Sequence, residues 1–136
     1  MNILGVGTPF VHDPSAAILV DGRLIAACDE ERLIRKKHAM GYLPIKAINF
    51  CLKKAGLKPS DIDVVAFPWS HDIYKDKKYE YFRRCLMPRT SHAIKAFTRE
   101  KSRLRGKEKK LNDILEKTGI DPRRVKKYFV EHHLAH

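Results

Sequence analysis

An α/β fold, built on a mixed five-stranded sheet with flanking helices, follows from three features of this sequence. Asp21-Gly22 separates two apolar runs, the strongest short signal for a two-residue hairpin. From Pro44 to Gly56 the apolar residues recur at helical spacing and end on a glycine. Two further β-branched and aromatic runs, DVVAF and VKKYFV, each follow a helical pattern, and that alternation builds parallel strands.

Taken in order, Asn2 to Thr8 (NILGVGT) is a short apolar run ending in small residues, a buried strand that opens into a loop. Ser15 to Val20 is a second strand and Arg23 to Cys28 a third, and tight connections make the three an antiparallel meander. Pro44 suits the first turn of a helix whose stripe is Ile45, Ile48 and Leu52 with Ala47, Cys51 and Ala55. Gly56 caps it. A fourth strand falls near 63–68. Leu111, Ile114 and Leu115 mark a further helix ended by Gly119, and a fifth strand falls near 125–130. The order β-β-β-α-β-(insert)-α-β, with no internal repeat, is that of a ribonuclease-H-like half-domain. There a meander is extended by parallel strands through helical crossovers.

Composition narrows the function classes. The 43% hydrophobic fraction is that of a globular chain, and 136 residues allow one modest core. No apolar stretch is long enough to span a bilayer, and the start has no basic region of a signal peptide, so a cytoplasmic protein is expected. Cys28, Cys51 and Cys85 lack CxxC spacing and read as reduced thiols. The net charge of +12 is concentrated, because 81–110 carry eleven Lys/Arg against Glu100 and Glu108. That block either attracts anionic partners or forms a solvated segment, and little in it can be buried. It lacks the aromatic-basic pattern of a nucleic-acid module, so nucleic acid is not the favoured partner.

Three stretches can carry chemistry. In GTPFVHDPSAA, Gly7, Thr8 and Ser15 can offer donors to a phosphate. His12 can serve as acid or base, and Asp13 can orient it or hold a cation. The same Asp-Pro-Ser equally suits a plain turn. EERLIRKKH is either a solvated face with internal ion pairs or an arginine-lined wall for a carboxylate or phosphate. His132 and His136 are one helical turn apart, a metal-ligand spacing that amphipathic helices also carry by coincidence. Their place just after a strand end, where open α/β sheets bind ligands, favours the metal.

Together HDPSAAILVDGRLIAACDEERLIRKKH, the Pro-led helix, AINFCLKKAGLKPSDIDVVAF and HHLAH resemble the opening of the O-carbamoyltransferase family of nodulation and antibiotic-tailoring enzymes. The resemblance covers 2–70 and 125–136, with Asp29 where the family more often has Gln and Leu33-Ile34 where it commonly has Phe-Thr. It implies an actin-like ATPase lobe. The family uses ATP and carbamoyl phosphate to make a carbamoyl-adenylate and passes the carbamoyl group to an acceptor hydroxyl. His132 and His136 would then ligate a divalent metal, with Fe2+ expected, that holds the nucleotide phosphates. His12 and Asp13 would sit on the phosphate-facing loop. The family's second actin-like lobe and its carbamoyl-phosphate domain are not in this sequence. The expectation is therefore a single first lobe over 1–136, with a basic insert at about 71–110, cut at the HxxxH motif and inactive by itself. The alternatives are a lobe of the related transfer-RNA threonylcarbamoylation family, a basic nucleic-acid-binding module, and a decayed gene fragment.

Overall fold

The computed structural model describes residues 1–7, 13–68 and 106–130. Strands β1 (Asn2–Val6), β2 (Ser15–Val20) and β3 (Arg23–Asp29) form the expected meander. Asp21 and Gly22 both have positive φ, 49° and 79°, the conformation that lets a two-residue turn follow the strand twist. A short helix α1 (Glu30–Ile34) and the main helix α2 (Ile45–Ala55) lead to β4 (Val64–Phe67). Residues 106–117 form helix α3, so 106–110, read from sequence as part of the basic insert, are helical. The rest of that insert lies outside the described residues. Strand β5 (Lys126–Phe129) completes the sheet.

The strand order is β3-β2-β1-β4-β5. β1 is antiparallel to β2 and parallel to β4, and β5 is parallel to β4. This is the ribonuclease-H-like arrangement expected from the element order. The steps β1 to β4 and β4 to β5 run in the same direction, so crossovers of one hand set their helices on one face. Accordingly Leu4, Val6, Ile18, Val65 and Phe67 share a single buried cluster with Ile48, Cys51 and Leu52 of α2 and Leu111, Ile114 and Leu115 of α3. The opposite face carries small or half-buried residues, among them Ile3, Gly5, Ala17 and Ala66.

Both helices end as read. Gly56 and Gly119 have φ of 67° and 78°, and the amides that follow bond back to Leu52 and Leu115. The start of α2 is less ordinary. Leu43-Pro44 has no side chain that can cap a helix, and none does so. The carboxylate of Glu30, only 3% exposed, does it instead, accepting from the amides of Ala47 at 2.8 Å and Lys46 at 3.3 Å. Negative charge at that end also complements the helix dipole. No helix among the described residues is long and apolar enough to cross a membrane.

Candidate active site

The carboxyl ends of β1 and β4 open on a cleft of about 490 Å³, walled by Gly7, Ser15, Cys28, Asp29, Pro68 and Val130. Its size is that of a small-molecule site, and it stands where α/β sheets place ligands.

Gly7 and Ser15, expected to receive phosphate, meet here. The Gly7 amide donates to the Ser15 carbonyl at 2.8 Å, which closes the base of the loop between β1 and β2. A Cβ at position 7 would lie 2.0 Å from Ser15 Oγ and 3.2 Å from its Cβ, so the closure requires glycine. The amide of Gly7 is thereby occupied, and Ser15 remains as a polar residue of the cleft lining. Thr8 and His12 lie outside the described residues, as do His132 and His136, the histidines expected to hold a metal.

Asp13 is described, and its surroundings are the main addition that structure makes to the sequence. Its Oδ1 lies 3.0 Å from Nδ1 of His38, and its amide donates to the His38 carbonyl at 2.9 Å. The His38 amide in turn donates to Oε2 of Glu31 at 2.8 Å. One ligand atom each from Asp13, Glu31 and His38 falls within 4.8 Å of the others, a spacing that suits a cation as well as direct hydrogen bonds. The HDPS and EERLIRKKH stretches are therefore two walls of one corner. Pro14 joins them again, accepting at 2.8 Å from the Glu30 amide. Asp13, Arg35, His38 and Ala39 all have positive φ, and among the described non-glycine residues only Asp21 shares that property. Backbone held in this region collects at functional sites, where the surroundings over-determine it.

EERLIRKKH thus divides residue by residue. Glu30 is buried under α2, whereas Glu31 is partly covered and 3.5 Å from Nε of the exposed Arg32. Sequence reasoning noted this run without separating the two glutamates, and it did not join His38 to Asp13. The available signal was an absence: a helix starting at GYLPI with no capping residue needs an acceptor from elsewhere.

The thiols of Cys28 and Cys51 are held in the protonated form. Burial, then the charges of Asp29 and Glu30, push the Cys28 thiol up, and burial followed by Cys28 pushes Cys51 to about 11. Both stay protonated near neutrality. They are free cysteines, as read.

Comparison with known proteins gives this geometry a family. A family model described as "Carbamoyltransferase N-terminus" matches residues 2–136. The nodulation protein NolNO of Sinorhizobium fredii is 36% identical over 138 residues, which takes in 99% of this chain and 18% of NolNO. An uncharacterized 19.2 kDa protein of Rhizobium etli is 44% identical over 66 residues, 48% of this chain and 38% of its own. The chain therefore spans well under half the length of these relatives. Among solved structures, YeaZ from Pseudomonas aeruginosa is similar over 52% of this chain and 31% of its own, with TM-score 0.36 and 21% identity. On the match across nearly all its residues, the chain belongs to the carbamoyltransferase family and corresponds to that family's N-terminal part.

Proposed function

We propose that this chain is the nucleotide-facing lobe of an ATP-dependent O-carbamoyltransferase, working in the cytoplasm. Carbamoyl phosphate and ATP would form a carbamoyl-adenylate, and the carbamoyl group would pass to an acceptor hydroxyl. The observation that carries this reading is the meeting of HDPS with EERLIRKKH beside a cleft at the sheet's carboxyl end, in a chain of this family.

Each residue has a definite task in this scheme. Gly7 closes the base of the loop, and Thr8 and Ser15 are the residues assigned to a phosphate. His12 exchanges protons there, and Asp13 holds imidazole geometry at the loop's end. His132 and His136 hold a divalent metal, which when bound supplies positive charge to the nucleotide phosphates. A further lobe and a carbamoyl-phosphate domain act as partners.

Calorimetric titration of Fe2+ or Mn2+, then ATP, tests the scheme. His132→Ala and His136→Ala should each weaken metal binding at least about tenfold, while His133→Ala, outside the HxxxH pair, changes it little. Ser15→Ala should weaken ATP binding by several-fold, the share of one hydrogen bond. Equal losses from all three histidines would refute the metal assignment.

A further inference from the structure

We infer that the free edge of β3 is a contact surface for a second copy of this chain, paired antiparallel about Ala27. The two edges of the sheet are unlike. β5 is four residues long and opens on Lys126 and Lys127, and lysine on an edge discourages further pairing. β3, RLIAACD, is at seven residues the longest strand described, and it holds neither lysine nor proline. No strand among the described residues joins its outer side. Every residue of β3 is exposed or half-buried, with Leu24 64% and Ile25 46% exposed.

The phase of the backbone bonds fixes what that edge offers. The Gly7 amide bonds the Ser15 carbonyl, so Ser15, Ala17 and Leu19 turn their backbone groups toward β1. Ala16 and Ile18 then bond to their β3 partners Cys28 and Ala26, which leaves Ala27 with its N–H and C=O directed away from the sheet. A bulge opposite Ile18 and Leu19 bends the start of β3, so its straight part is Ile25 to Asp29. A two-fold axis at Ala27 lets two copies exchange both bonds of that residue and sets Asp29 opposite Ile25 of the second copy. Arg23 of that copy becomes a diagonal neighbour, within reach of a long side chain. The strand carries its positive charge at one end and its negative charge at the other, so antiparallel pairing joins opposite charges twice, whereas parallel pairing would join like charges. Both side chains are exposed, and Asp29 makes no cap bond to the helix that follows it. Ala27, Cys28 and Asp29 also wall the cleft, so the pairing brings two clefts to one seam.

A contact of one short strand per copy is small, so the dimer is a weak one, with Kd of roughly 0.1 mM. Sedimentation velocity on the whole chain tests it, at about 150 mM salt to screen repulsion between chains of net charge +12. From about 10 µM to about 1 mM the wild type should pass from monomer to dimer. Ala27→Pro removes an N–H that β2 does not use and should weaken the dimer at least about tenfold. Asp29→Arg should weaken it several-fold, and combining Arg23→Asp with Asp29→Arg should restore it. Urea midpoints measured at about 5 µM, where the chain is monomeric, separate a folding defect from lost pairing. If Ala27→Pro fails to fold, the charge exchange decides. A wild type still monomeric at about 1 mM, a dimer untouched by Ala27→Pro, or a double variant no tighter than Asp29→Arg would overturn the proposal.

Discussion

The two ends of the sheet are closed in different ways. At the amino end of β1 the bonds are short-range in space, exposed and simple. Asp63 accepts from the Asn2 amide at 2.7 Å, returns its own amide to the Asn2 carbonyl at 3.1 Å and receives the Lys126 amide at 3.1 Å. Asn2 Nδ2 reaches the Asp61 carbonyl, and the chain's amino group pairs with Asp21 across the hairpin. Water can replace any of these. At the carboxyl end, side chains from separate stretches are tied together, Glu30 buried beneath α2 and Glu31 and Asp13 on the more exposed His38. One end keeps the strands in register. The other adds a buried carboxylate, Glu30, that water would not replace, and it fixes the start of α2 beside the cleft end of the sheet.

That contrast can be broken by measuring stability at each end. Glu30→Ala should be the costliest polar change, about 3 kcal/mol by urea unfolding, because it strands two amides at a covered helix start. Glu30→Gln should recover part of this, since its amide oxygen still accepts one bond. Next is a pH effect in the core beneath the site. Cys51 is raised from 9.0 to about 11 by burial, so its contribution is complete below pH 9 and disappears as pH rises through 11. That decline, on the order of 2 to 3 kcal/mol, should be missing from Cys51→Ala, and an identical slope in both proteins would contradict it. Gly7→Ala should cost about 2 kcal/mol through collision with Ser15, and a Gly7→Ala, Ser15→Gly double variant should regain most of it. No regain would remove the steric account of the loop closure. Asp63→Ala should cost least, about 1 kcal/mol, as its partners turn to water. If it matched Glu30→Ala, the two ends would not differ.

Much of the architecture was legible because its signals are local. Asp21-Gly22 is readable as a turn by itself, Gly56 and Gly119 as helix ends, and the stripe through Ile48, Cys51 and Leu52 as a buried face. Half of the corner was legible too, since Gly7, Asp13 and Ser15 were picked out by residue type and loop position. Its other half was not. Nothing in the composition of EERLIRKKH says that Glu30 turns inward and Glu31 sideways. That division depends on where α2 starts in space, and on a left-handed turn at Arg35 and His38 that neither residue type announces.

The strand order also sets a timetable. β1, β2 and β3 pair within the first thirty residues, whereas the β1–β4 and β4–β5 pairs join residues roughly sixty apart. Closing a long loop costs entropy before any contact repays it, so the hairpin and the helix packed on it should assemble early and β5 last. Substitutions at Ile18 or Ile48 should then slow folding, while those at Val125 or Phe129 should mainly speed unfolding. The cleft wall supplied by Val130, just past β5, is on this schedule the last part of the molecule to exist and the first to be lost.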